Sequence, residues 1–301
     1  FVGSNGAGKS TTMRIALGVL AKDSGEVYFD NAPINDDNRR RIGYMPEERG
    51  LYGKEPLLSQ LVFLGTLHGM DKSAAKRAGT ELLEQLGLGE RMDDKLDDLS
   101  LGNQQRVQLA ASLIHDPDML ILDEPFSGLD PVAVNVMSDM LRERAARCRD
   151  CPLWEPATQT VFGEGPLDAS LLFIGEQPGD QEDLAGRPFV GPAGQVLDRA
   201  MAAAGVEREG AWLTNAVKHF KFVPRGKRRL HQNPDRAEID ICKWWLGLEQ
   251  RFIQPKLTLA LGGTAAYALT GHKEGITRRR GKVEETEGGP VMLSWHPSYI
   301  L

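Results

Sequence analysis

The sequence predicts an α/β chain of two domains. Three observations carry that reading. The chain has 301 residues, about twice the ~150 of an average domain. A Gly-rich loop, Gly3-Ser4-Asn5-Gly6-Ala7-Gly8-Lys9-Ser10, leads into a helical pattern. Short apolar runs such as Met119-Leu120-Ile121-Leu122 alternate with amphipathic stretches, as in a parallel sheet covered by helices.

Taken in order, Phe1-Val2 reads as the end of a buried strand feeding the Gly-rich loop, and 10–20 as the helix behind it. Helices follow at 74–88 and 104–115, then a strand over 119–122 that ends in Asp123-Glu124-Pro125. After Pro131 one amphipathic stretch runs through Val134, Met137, Leu141 and Ala145 to Cys148 with no flexible linker, so the boundary is placed inside it, giving domains 1–141 and 142–301. The second domain alternates again: strand 171–175, helix 194–204, strand 212–217, helix 236–252, strand 257–261, helix 264–269, strand 291–295. No internal repeat or low-complexity tract interrupts either half.

Charge separates the halves. Residues 1–140 hold 14 Lys/Arg against 22 Asp/Glu and residues 141–301 hold 22 against 20, so a polyanion partner is expected on the second half. The absence of a transmembrane-length apolar run and of a signal peptide leads to the expectation of a soluble, cytoplasmic protein. Three cysteines, two of them in Cys148-Arg149-Asp150-Cys151, are too few for a disulfide scaffold and suggest a metal or cluster site in a reducing compartment.

In the Gly-rich loop, Ser4, Asn5, Gly6 and Gly8 present backbone N–H groups to phosphates. Lys9 reaches the β/γ oxygens, and Ser10 gives a hydroxyl to Mg²⁺ at the helix N-terminus, with Thr11 beside it. Downstream, Leu99-Ser100-Leu101-Gly102-Asn103-Gln104-Gln105-Arg106 precedes Asp123-Glu124, and Ser127-Gly128-Leu129-Asp130 follows. In this order the motifs of residues 1–141 closely resemble the ATP-binding subunits of ABC transporters, P-loop NTPases whose signature motif falls here at 100–104. The resemblance implies ATP and Mg²⁺ as cofactors, with Asp123 and Glu47 supporting the ion beside Ser10 and Glu124 polarising the attacking water. It also implies a dimer-facing Asp130 and an ABC-type dimer or membrane-subunit partner. Glu47 departs from the Gln usual in that family. The adenine-stacking aromatic would precede Phe1 and the switch His is missing, so the domain is expected to be cut at both ends, to bind nucleotide and to hydrolyse it poorly.

The second half carries Gly175-Glu176-Gln177-Pro178-Gly179, Gly186-Arg187-Pro188-Phe189-Val190-Gly191-Pro192, Thr214-Asn215-Ala216-Val217-Lys218, Lys227-Arg228-Arg229-Leu230-His231 and His296-Pro297-Ser298. With Cys148, Cys151 and Cys242, these motifs resemble family 4 uracil-DNA glycosylases, and within them the UdgX group, over nearly all of 144–301. A three-layer α/β/α domain follows from the resemblance, its last helix expected to be cut after Leu301. So does a role in excising uracil from DNA, preferably single-stranded.

Excision requires a flipped base, an aromatic platform and an edge reader. Phe189 is expected to stack on uracil. The Asn215 amide can donate to O4 and accept from N3–H, a pattern that cytosine reverses. His296 and Gln177 suit the donor near O2, Glu176 the carboxylate facing the developing sugar cation, and Arg229 belongs to a basic run suited to phosphates. The resemblance places the covalent attack on C1′ at His231, leaving a protein–DNA adduct.

Family 4 enzymes hold a [4Fe–4S] cluster on four cysteines. Here His219 stands in the third position, as in the UdgX group, which implies the set Cys148, Cys151, His219 and Cys242; zinc in a Cys₃His site is the alternative. Plainer readings stand beside these. Phe189 fits a core, His296 a satisfied core histidine, His231 a solvated loop, 100–104 a helix N-cap, and Asp123-Glu124 an exposed strand end. At the level of the chain, the alternatives are an ABC-type ATPase with a non-catalytic appended module, or a fusion with neither site working.

Overall fold

A computed structural model describes residues 8–29, 32–47, 50–123, 131–226, 228–272 and 275–300, with the side chains of 131–133 left out. Ser4, Asn5, Gly6, Glu124, Asp130, Lys227 and Leu301, all named above, lie outside the described residues. The chain divides into two compact units, Phe1–Val136 and Met137–Leu301.

In the first unit α1 (Lys9–Ala16) starts from Gly8, whose φ of 78° turns the chain sharply into the helix. The helix stops earlier than the sequence suggests because Gly18, at φ 73°, sends Val19 N–H back to the Arg14 carbonyl. A short antiparallel pair, β1 (Tyr28–Phe29) and β2 (Ala32–Pro33), comes before α2 (Asp36–Arg39), which is closed by a capping box between Asn35 and Asn38. Next come β3 (Ile42–Met45), α3 (Leu57–Leu67), α4 (Lys72–Gln85), α5 (Leu101–Leu113) and β4 (Met119–Leu122). Strands β3 and β4 pair in parallel, Ile42 with Met119 and Met45 with Leu122, so the residues after both leave from one edge. Leu57, Leu61, Leu83, Val107 and Leu109 are buried to within 1%.

α6 (Pro131–Ala146) runs across the boundary between the units and buries Met137, Leu141 and Ala145. The second unit continues with β5 (Leu171–Gly175), α7 (Asp180–Ala185), α8 (Pro192–Ala203), β6 (Ala211–Asn215), β7 (Phe222–Arg225) and β8 (Arg228–His231). It closes with α9 (Arg236–Ile253), β9 (Leu257–Leu261), α10 (Gly263–Thr270), β10 (Val283–Thr286) and β11 (Gly289–Ser294). Its five-stranded sheet has the order β10-β11-β9-β5-β6, parallel except for the antiparallel edge strand β10. Strands β5, β9 and β11 are near-continuous apolar runs, as a sheet buried on both faces requires. The basic segment read as a loop is instead the antiparallel hairpin β7–β8, pairing Phe222 with His231.

Candidate functional site

Parallel α/β sheets bind ligands outside the carboxyl ends of their strands. In the second unit Glu176 leaves β5, Asn215 ends β6, Gly262 follows β9 and His296 follows β11, all at that edge. Gly175 pairs with Asn215 across the two central strands. A Cβ on Gly175 would lie 2.3 Å from Asn215 Oδ1 and 2.7 Å from Phe189 Cζ, so the missing side chain lets the Phe189 ring and the Asn215 amide close on the same point. Phe189 is 5% exposed and joins Phe173, Leu197, Met201 and Leu261 in the core. Its φ is 54°, a conformation costly for an aromatic residue, and its ring faces His296 at 6.2 Å. The core reading of Phe189 is therefore correct.

Glu176 Oε1 accepts the Thr264 N–H at 3.0 Å, in the first turn of α10. Its carboxylate fills the space over Gly262, where a Cβ would lie 2.4 Å from Oε1. Glu182, absent from the sequence reading, accepts Gly179 N–H at 3.1 Å and Gly191 N–H at 2.7 Å. One buried carboxylate thus ties the loop after β5 to the loop carrying Phe189.

The contacts of Gln177 decide the state of His231. Lys221 N–H donates to Gln177 Oε1 at 3.1 Å, which fixes the other amide atom as the NH₂ group. That NH₂ donates to the Gln232 carbonyl at 2.9 Å and to His231 Nε2 at 2.8 Å. His231 Nε2 is therefore an unprotonated acceptor and the ring proton sits on Nδ1. Desolvation of the ring lowers its pKa, opposed by the negative charge of Glu176. The amide expected near uracil O2 is spent on His231 and the backbone, because both its hydrogens are engaged. His296 has the opposite tautomer: Ser298 N–H donates to Nδ1 at 3.2 Å, which leaves the proton on Nε2. Burial lowers the pKa of this ring as well, Glu176 raises it and His231 lowers it further, so both imidazoles are neutral at pH 7.

Lys218, Lys221 and Arg229, read in the sequence as part of one basic run over 218–229, are all paired with carboxylates of the chain, Lys221 with Glu238 at 2.7 Å. Arg229 Nε binds Asp180 Oδ1 and Nη1 binds the fully buried Asp183 Oδ2, each at 2.5 Å, with the guanidinium over Phe220 and Phe222. It fastens the hairpin to α7 instead of offering itself to phosphate, because two carboxylates saturate its fork. Lys218, 0% exposed, is paired with the equally buried Glu249 and donates to the Asn215 carbonyl at 2.8 Å. Glu249 Oε1 also accepts Gly163 N–H at 2.8 Å and the Thr214 hydroxyl at 2.9 Å. Asp183 and Glu249 were invisible in the sequence, since acidic residues on amphipathic helices normally face water.

Cys151 and Cys242 are buried and Cys148 is half-buried; all three are free thiols. Burial pushes the Cys242 thiol up to about 12 and raises the other two. His219 is held by Thr160, whose single hydroxyl proton goes to the Ala145 carbonyl at 2.8 Å. The 2.9 Å contact from Thr160 Oγ1 to His219 Nε2 is therefore donated by the ring. Its Nδ1 lone pair is buried with no hydrogen-bond partner among the described residues, and burial holds the imidazole near 4 and neutral. Among the described residues no three His, Cys, Asp or Glu groups close around a single metal ion.

Residues 162–301 match the uracil DNA glycosylase superfamily, and residues 1–127 match the ABC transporter family. Over 167 residues the chain is 37% identical to the type-4 uracil-DNA glycosylase of Thermotoga maritima, spanning 55% of this chain and 83% of that protein. The chain belongs to the uracil DNA glycosylase superfamily. Ahead of the glycosylase part, it is 46% identical over 139 residues to the uncharacterized ABC transporter ATP-binding protein YhaQ of Bacillus subtilis, over 46% of each chain. The chain thus spans about half the length of the ABC transporter proteins it matches. A solved structure of an ATP binding subunit of an ABC transporter is 29% identical, covers 48% of this chain and 62% of its own, and has a TM-score of 0.45.

The fold is accordingly that of a P-loop NTPase of the ABC type followed by a glycosylase-like α/β/α domain. In the part preceding the glycosylase, Lys9, Ser10 and Thr11 form the first turn of α1. Asp123, 2% exposed, donates its N–H to the Met45 carbonyl at 2.9 Å, and its Oδ2 is buried with no hydrogen-bond partner among the described residues. Glu47 leaves the same edge after β3 and is exposed. Ser100 caps α5 by accepting Asn103 N–H at 3.4 Å, so the plain N-cap reading of that serine is correct whatever else it does. Among the described residues no helix is long and apolar enough to cross a membrane.

Proposed function

We propose that the second unit flips uracil out of single-stranded DNA, breaks its glycosidic bond and is trapped on the sugar through His231, as in the UdgX group. The observation that carries this reading is the Gln177–His231 contact at the carboxyl edge of the sheet: a neutral imidazole with an unprotonated Nε2, on a hairpin tied to the residue after Glu176 and within its electrostatic reach. Phe189 stacks on the flipped base and Asn215 reads its edge. His296 donates from Nε2–H to uracil O2 while the C1′–N1 bond breaks and its electron pair leaves on uracil. Glu176 stabilises the sugar cation. His231 then swings off Gln177 and its Nε2 lone pair bonds to C1′. Its Nδ1 proton passes to Glu176 and from there to the departed uracil anion, so the products are the sugar adduct and neutral uracil. Incubation with a deoxyuridine oligonucleotide, followed by a denaturing gel and a uracil assay, tests the reading; a protein that neither binds covalently nor releases uracil overturns it.

Cys148, Cys151, His219 Nδ1 and Cys242 suit a [4Fe–4S] cluster. The support is the His219 Nδ1 lone pair, buried without a partner among the described residues, together with two buried thiols and the half-buried Cys148 in the positions the resemblance implies. The cluster would crosslink segments distant in sequence. The anaerobically purified protein is expected to be brown with about four irons per chain, and Cys242→Ser to lose the colour and iron. Stoichiometric zinc after cluster-competent expression overturns this assignment.

For the first unit we propose weak MgATP binding with turnover near background. The orphaned Asp123 Oδ2 fits a Mg²⁺ partner, with Ser10 and Glu47 as its companions, and the ion when bound would neutralise phosphate charge. Glu124, expected to polarise water, has no switch His to work with. Steady-state hydrolysis abolished by Glu124→Gln would show this to be wrong. An ABC-type dimer or membrane-subunit partner belongs to the same proposal. Cysteines given to a cluster and not to disulfides, together with the nucleotide motif, suit the cytoplasm.

A further inference from the structure

We propose that Trp245 tunes the reduction potential of the iron–sulfur cluster by donating its indole N–H to the ligand Cys148; the inference rests on the [4Fe–4S] assignment above. Trp245 Nε1 lies 3.4 Å from Cys148 Sγ, across 97 positions of sequence. Cys242 and Trp245 stand three apart on α9, so one face of that helix carries a cluster ligand and the donor to another. Trp245 is 6% exposed, and Phe162 and Trp244 meet its ring edge to face at 6.1 and 4.7 Å. The clamp fixes the direction of the N–H. A buried indole needs an acceptor, and a sulfur that is weak as a neutral thiol becomes a strong one once it carries charge.

The other contacts of these sulfurs point the same way. As a thiol, Cys148 donates to Asp150 Oδ2 at 3.4 Å. Bound to iron it has lost that proton, and the carboxylate then faces a sulfur of like charge. The Trp245 N–H is the dipole that offsets this, as the Lys218 backbone N–H does at 3.2 Å from Cys242 Sγ. Adding one electron to a [4Fe–4S]²⁺ centre puts more negative charge on its sulfurs. A donor aimed at one of them therefore stabilises the reduced form over the oxidised and raises the potential. A packing role alone would need the ring of Trp245 and not its nitrogen.

The test uses the full chain, purified without air and reduced stepwise with dithionite, a one-electron reductant, while electron paramagnetic resonance counts the reduced cluster. Trp245→Phe keeps a ring against Phe162 and Trp244 and removes the N–H. At a fixed applied potential its ratio of reduced to oxidised cluster should fall roughly ten-fold, equivalent to ~59 mV for one electron. In the unaltered protein with ¹⁵N placed only in the indole rings, the reduced cluster should show coupling to that nitrogen, a readout that holds even where the variant loses its iron. Full iron in Trp245→Phe with an unchanged potential overturns the tuning role, and so does an unaltered protein whose reduced cluster shows no indole coupling. Zinc in place of iron overturns the cluster assignment and this inference with it.

Discussion

A single-stranded oligonucleotide carrying one deoxyuridine is expected to migrate with the protein on a denaturing gel, at most one per chain, while thymidine and deoxycytidine controls run free. His231→Ala should abolish the adduct, a loss of at least ~100-fold, and release uracil with turnover, because Glu176, Asn215 and His296 remain and water can reach the sugar cation. The state of the ring adds a second readout. Gln177→Glu keeps the length of the side chain but replaces the NH₂ donor facing His231 Nε2 with an acceptor. The ring proton is then drawn onto Nε2, and adduct formation should slow by about ten-fold or more while the second unit stays folded. The pH profile follows from the depressed pKa of His231. Protonation removes the nucleophile, so the rate should hold through pH 6.5, the ordinary imidazole value, and fall only on the acid side of it. Catalytic uracil release without an adduct would take the trapping role away from His231.

How far the sequence foretold this arrangement depended on the kind of residue. β4, β5 and β9 were legible to the residue because a strand buried on both faces must be apolar throughout. The hairpin β7–β8 was not, because Phe-Val-Pro-Arg and Arg-Arg-Leu-His are held by Arg229 on two carboxylates and not by an alternating apolar face. β10, Val-Glu-Glu-Thr, is an edge strand and gave no apolar signal. Glu176 and His296 each follow a strand legible in the sequence, 171–175 and 291–295, whereas Asn215 lay inside the one read over 212–217 and in fact ends it. Gln177 could not be assigned to His231, 54 positions away, by any local pattern. Lys218 was read with its basic neighbours as a phosphate contact, since only a folded structure can show the Glu249 that permits its burial.

Lys218→Met is expected to be among the most destabilising single changes in the second unit. It leaves the Glu249 carboxylate 0% exposed without its cation, which costs about 3–5 kcal/mol and lowers the unfolding midpoint by on the order of 10 °C. Glu249→Leu should do comparable damage by stranding Lys218 and the Gly163 and Thr214 donors. The pair Lys218→Met with Glu249→Gln should recover most of the loss, because Gln keeps an acceptor for Gly163 and Thr214 and no charge remains buried. Calorimetry of the three variants, following the transition of the second unit, reads this directly. If Lys218→Met melts within about 2 °C of the unaltered protein, the pair is not what holds β6 against α9.

Gly175 has a consequence for how this pocket can change. Recognition groups usually evolve by exchanging one side chain for another, but here the tightest point of the pocket is a residue with none. Even alanine would push against the Asn215 oxygen and the Phe189 ring together. No gradual route toward a bulkier base therefore begins at that position; one methyl group would disable edge reading and stacking in the same step. A lineage, or an engineer, widening the range of accepted bases has to start at Phe189 or Asn215, and descendants that keep uracil chemistry are confined to glycine at 175.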